Sequence, residues 1–69
     1  MRLSIRNQLT GTVQSVTKGE AMAVVKVQVA GGTVFTSSVT LDAVNDLGIS
    51  EGSEVTLLVK STDVALGVN

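Results

Sequence analysis

Apolar and polar residues alternate along most of this chain with a period of two, as in strands that bury one face. The clearest stretch is 21–30, AMAVVKVQVA, in which Val25, Val27 and Val29 fall on one face and Val24, Lys26 and Gln28 on the other. It stops at Gly31-Gly32, and a Val/Thr-rich run, TVFTSSVT at 33–40, follows directly. Two such runs joined by a glycine pair predict a hairpin, because glycine enters the positive-φ conformations of tight turns. Residues 3–16 predict a long strand containing Gly11, where a strand glycine implies a bulge or sharp bend. TKGE at 17–20 predicts the turn into the next strand. Downstream, EVTLLVK at 54–60 alternates again, with Val55, Leu57 and Val59 on one face. VALGV at 64–68 predicts a short last strand after an STD turn at 61–63.

One segment changes period. LDAVNDLG at 41–48 carries Leu41, Val44 and Leu47 at helical spacing, with Thr40 as N-cap, Asp42 in the first turn and Gly48 just past the end. A two-turn helix is expected there. The order becomes three strands, a short helix and two strands. This predicts an all-β fold, a five-stranded OB-like Greek-key barrel with one short helix between strands 3 and 4. An SH3-like barrel is the alternative, although it usually lacks such a helix. With no long repeat, no proline and no linker-like stretch, residues 1–69 read as a single domain.

Composition adds a reason to self-associate. A domain of about 60 residues buries only ~60% of the surface its unfolded chain exposes. Small folds compensate with disulfides, a structural metal or oligomerisation, and 69 residues without Cys or His leave mainly the last. Charged residues make up 16% of the chain, against roughly 25% in an average soluble domain, and the mean hydropathy is +0.42. A homo-oligomer is therefore expected, with a lightly charged but adequate monomer as the alternative.

Charge and aromatic content narrow the partners. Five cations against six anions give a net charge of −1, unlike the clustered basic face of nucleic-acid binders. OB-type domains that hold single strands stack bases on aromatic rings, and Phe35 is the only aromatic residue, expected in the core. No stretch approaches the ~20 apolar residues of a membrane helix. The opening MRLSIRNQLT shows no signal-peptide pattern. A cytoplasmic protein without nucleic-acid or membrane partners is expected.

Catalytic chemistry is hard to assemble here. Without His or Cys the usual nucleophile–base pairs and transition-metal ligands are missing. Glu20, Asp42, Asp46, Glu51, Glu54 and Asp63 are scattered, with no EF-hand spacing, and no phosphate-binding glycine loop is present. A non-enzyme without organic cofactor or cationic metal site is expected. What remains are donors: Ser4 and Arg6 two apart, on one face if extended; Lys60 and Ser61 at a strand end; and Thr40 at the helix start, where backbone N–H groups lack intrahelical partners. Taken alone, these residues read equally as strand decoration, a strand end and an ordinary cap. Taken together, they suit a tetrahedral oxyanion.

Read as a set, the segments resemble a known family. SIRNQLTGTV at 4–13 is similar to the opening S-A-R-N-Q-L-x-G-x-V of the molbindins, or Mop proteins. VAGGTVFTSSVT at 29–40 resembles their I-A-G-G-x-x-I-T-S-x-V-T. LDAVNDLGISEGSEVTLLVKSTDVALGV at 41–68 resembles their helix, L-G-x-x-E-G turn and closing K-x-T-x-V strand. The resemblance implies an OB-like fold, a hexamer built as a trimer of dimers, and molybdate or tungstate bound in pockets between subunits for storage and homeostasis. It implies pocket residues at Ser4, Arg6, Thr40, Lys60 and Ser61, with backbone N–H groups near Ile5 assisting, and a second pocket class on the three-fold axis. Two positions depart from the pattern: Ile5 stands where Ala is common, and Ala43 where many members carry Ser, which removes one hydroxyl donor. The competing readings are a ligand-free assembly or regulatory module and a nucleic-acid-binding OB domain.

Overall fold

Four strands, one helix and one 3-10 turn build the chain in this computed structural model, which describes residues 1–69. They are β1 (Asn7–Lys18), β2 (Met22–Val29), β3 (Val34–Thr40), α1 (Leu41–Leu47), β4 (Glu54–Val59) and the turn Ser61–Asp63. The strands form one antiparallel sheet in the order β3-β2-β1-β4. This is the Greek-key order, with the fourth strand returning beside the first.

β1 serves two neighbours. Its residues 11–18 pair with β2 and its residues 7–12 with β4, so the sheet changes partner around Gly11 and Thr12. A Cβ on Gly11 would lie 2.6 Å from Val27 Cγ1 and 2.8 Å from the Gln28 carbonyl oxygen. Glycine thus permits the close approach. The register slips between Val13 and Ser15, leaving Gln14 as the extra residue of a bulge just beyond the glycine. The close approach and the bulge together account for the sheet's curl.

The core follows the predicted alternation. Val13, Ala23, Val25, Val27 and Val44 are buried, while Val24, Lys26 and Gln28 face out. The hairpin turn is as expected: Gly31 and Gly32 both have φ of 88°, and the Gly32 N–H donates to the Val29 carbonyl at 3.1 Å. The helix is also where its signals put it. Thr40 Oγ1 accepts from the Ala43 N–H at 3.1 Å, and Gly48 ends it at φ 63°. Val44 packs into the core, Leu41 is half-buried, and Leu47 remains mostly exposed.

Several expectations require correction. The sheet has four strands, not five: residues 64–68 form no strand and are exposed throughout. They leave β4 through the 3-10 turn and meet no sheet edge within the chain. β1 begins at Asn7 rather than at residue 3, because β4 ends at Val59, opposite Asn7, and leaves nothing for residues 3–6 to pair with. At its other end β1 runs through Thr17 and Lys18, which pair with Val24 and Ala23; the turn is confined to Gly19–Ala21.

Curling leaves β3 and β4 as facing free edges. Between them lies a groove of about 300 Å³ whose wall includes Phe35, Val39, Val55, Leu57 and Val59. Phe35 is half-buried on this wall rather than enclosed in the core. Only 6 of 69 residues are buried, so a single copy leaves much of its apolar inner face uncovered. No helix is long and apolar enough to cross a membrane.

Candidate functional site

The start of β1 and the end of β4 meet at one corner of the sheet. Asn7 pairs with Val59, and the Asn7 side-chain amide donates to the Val59 carbonyl at 3.0 Å. Arg6 and Lys60 each stand one residue beyond this pair, on the two segments that leave it. Ser4, Ile5 and Ser61 follow on either side. Register therefore brings five of the six predicted site residues to one corner.

This corner is rich in unused donors. None of the hydrogen bonds outside the helix and strands starts from the backbone N–H of Ser4, Ile5, Arg6, Lys60 or Ser61. The Arg6 guanidinium and Lys60 ammonium donate to no carbonyl or side chain of the chain. Like charges gathered at one corner repel each other, and a doubly charged anion bound between them would offset that repulsion. The carbonyls at this corner point into local bonds instead: the Lys60 oxygen accepts from Asp63 at 2.9 Å and the Ile5 oxygen from the Gln8 side chain at 2.7 Å. Ser4 lies in a bend, so its alternation with Arg6 does not carry over as a shared strand face.

Thr40 is elsewhere. It pairs with Met22, beside the Ala23–Lys18 pair that closes the far end of β1. β1 has 12 residues, roughly 40 Å along its path at ~3.3 Å per residue. The long strand thus separates Thr40 from Arg6 and Lys60 within one chain. The helix start is also less open than expected, since the Leu41 N–H donates to Ala21 and the Ala43 N–H to Thr40. Because Thr40 Oγ1 accepts the Ala43 bond, its own proton stays free to donate outward.

Sequence reasoning missed the parts played by Asn7 and Gln8. Both lie inside the R-N-Q-L string at 6–9, and their amides tie the strand start to β4 and to its own preceding turn. Their polarity beside Arg6 in the sequence was the available signal.

A curled Greek-key sheet with one short helix, open at a corner of unpartnered donors, is an OB-like architecture. The TOBE domain model matches residues 3–66. Molybdenum-pterin-binding protein 3 of Clostridium pasteurianum is 48% identical over 66 residues, covering 96% of this chain and 97% of that protein. Among solved structures, a molybdate-binding protein from Sporomusa ovata superposes with a TM-score of 0.93 at 37% identity, covering 99% of this chain and all of that one. The cytoplasmic molybdate-binding protein ModG, in a form with molybdate bound, gives a TM-score of 0.96 at 43% identity, covering all of this chain and 49% of that chain. The chain belongs to the TOBE-domain family and, within it, to the molbindin (Mop) proteins.

Proposed function

We propose that this chain is a cytoplasmic, non-catalytic binder of molybdate or tungstate, holding the oxyanion for storage and homeostasis in pockets completed between subunits of a hexamer. The observation that carries the reading is the division of the donor set: Ser4, Arg6, Lys60 and Ser61 gather at one corner with the free Ile5 N–H, while Thr40 sits at the other end of β1. A pocket using all of them takes the corner from one subunit and Thr40 from another. The half-covered inner face and the groove between β3 and β4 give subunits an apolar reason to meet. The relatives that bind molybdate support the choice of anion.

The chemistry suits a dianion with four acceptor oxygens and no proton to donate near neutral pH. Arg supplies a planar fork and Lys a point charge, and hydroxyls and N–H groups fill the other directions. Hydrogen bonds to charged groups contribute ~1.5–3 kcal/mol each. Four to six of them, less desolvation, reach the ~8 kcal/mol of a micromolar site. Selection against sulfate then rests on cavity size, because charge and shape are alike.

Calorimetry on mixed subunits tests the reading. Arg6→Ala, Lys60→Ala and Thr40→Val alone should each weaken molybdate binding at least tenfold while the oligomer persists. Mixing Arg6→Ala with Thr40→Val chains, after exchange of subunits, should restore about a quarter of the wild-type sites, because random pairing reunites an intact corner with an intact Thr40. Wild-type affinity in the single variants would remove the pocket; no recovery in the mixture would remove its assembly from two chains.

A further inference from the structure

We infer that Gln8 is a positioning residue for the oxyanion pocket: its side-chain amide fixes the Ile5–Arg6 peptide and holds the Arg6 backbone N–H as a donor to the anion. The inference rests on the oxyanion reading above and adds a residue that does not itself touch the ligand.

The argument starts from the bond. Gln8 Nε2 donates to the Ile5 carbonyl oxygen at 2.7 Å across three residues. A carbonyl can only accept, so the amide must present its NH2 end. The Ile5 carbonyl and the Arg6 N–H belong to one planar peptide unit, and no peptide bond in the chain is cis. In a trans unit the two groups point in opposite directions. Holding the carbonyl toward Gln8 therefore turns the Arg6 N–H away from it.

That N–H then has no partner in the chain. It lies outside β1, which starts at Asn7, so no ladder bond fixes its direction. Without Gln8 no hydrogen bond holds the peptide at 5–6, and a rotated peptide would bring the carbonyl, an acceptor, toward the position of the anion. An acceptor there repels the ligand that the donor attracts. Gln8 thus selects the sign of the backbone dipole at the pocket. Asn7, one residue on, secures the same corner to β4 through Val59, so the strand start stays anchored when Gln8 is changed.

The test uses the full 15N-labelled chain in its assembled state, titrated with sodium molybdate and followed by amide NMR and calorimetry. Gln8→Met keeps the length of this exposed side chain and removes the donor; Gln8→Ala is the second variant should the first perturb folding, which the same spectra report. Gln14→Met is the control, since Gln14 donates only to Gln28 on the outer face. In wild type the Arg6 amide should shift strongly on saturation. In the Gln8 variants that shift should collapse, molybdate should bind roughly tenfold more weakly, and Lys60 and Thr40 amides should still respond at saturation. Gln14→Met should match wild type. An unchanged affinity and Arg6 shift in Gln8→Met, or a wild type whose Arg6 amide is silent while Lys60 responds, would overturn the inference and leave the pocket standing. A wild type in which no amide of residues 4–6 or 60–61 responds would overturn both.

Discussion

The two ends of β1 are finished to different degrees. At the Lys18 end, the strand pairs through its last residue, the helix caps its own N–H groups with Thr40 and Ala21, and Val44 seals the core. At the Asn7 end, pairing stops, the chain turns away on both sides, and the Arg6 and Lys60 cations and their backbone donors have no partner. A chain that can satisfy its polar groups at one end has no general difficulty in doing so. The unfinished corner is therefore a local property of these residues, and it is where an outside acceptor gains most.

Gly11 lies between the two ends and offers the largest effect. Ala at this position would press its methyl into Val27 and the Gln28 carbonyl, and a backbone oxygen in a paired strand has little room to yield. Gly11→Ala should cost about 2–3 kcal/mol, read as a shift of the urea midpoint at fixed subunit concentration. A change below ~0.5 kcal/mol would mean that the curl tolerates a side chain there, and that the two ends are coupled less tightly than the pairing implies.

A substitution at Thr40 separates structure from chemistry at the finished end. Asp caps helices at least as well as Thr, so Thr40→Asp should preserve the bond to Ala43 and change stability by less than ~0.5 kcal/mol. It replaces a hydroxyl donor with an anionic acceptor, and molybdate affinity should fall more than tenfold, or at least ~1.4 kcal/mol. Retained affinity in a folded Thr40→Asp oligomer would confine Thr40 to capping, and the contrast between the ends would lose its functional half.

The same contrast explains what the amino-acid order made legible. Alternating valines at 25, 27 and 29, the glycine pair at 31–32 and the Thr40–Gly48 bracket are local signals, and each element they mark is in place. The boundaries of β1 were not legible, because they depend on where β4 ends and on which residues β2 can reach. The fifth strand failed for a related reason: Val64, Leu66 and Val68 alternate correctly, but a strand exists only beside another edge, and the tail leaves the end of β4 without pairing to either free edge of the sheet. At the candidate site, residue types pointed to an oxyanion, while the separation of Thr40 from Arg6 and Lys60 came only from the register. Gln8 and Asn7 passed as polar strand residues because their bonds run sideways to a carbonyl, which no spacing rule marks.

The smallest effect expected is none. The chain has no His and no Cys, and apart from the α-amino group no ionisable type it contains has a reference pKa between about 5 and 9. The donors invoked at both ends are guanidinium, ammonium, hydroxyl and backbone N–H groups, types whose reference values lie outside that range. Proton linkage makes the consequence quantitative: a site that takes up or releases one proton on binding changes its affinity about tenfold per pH unit. Calorimetric titrations with molybdate between pH 6 and 8.5 should accordingly give one affinity, and heats that do not depend on the ionisation enthalpy of the buffer. A steep slope inside that window, beyond the anion's own chemistry, would require a titrating group that neither end of β1 supplies, and the pocket would have to be sought elsewhere on the molecule.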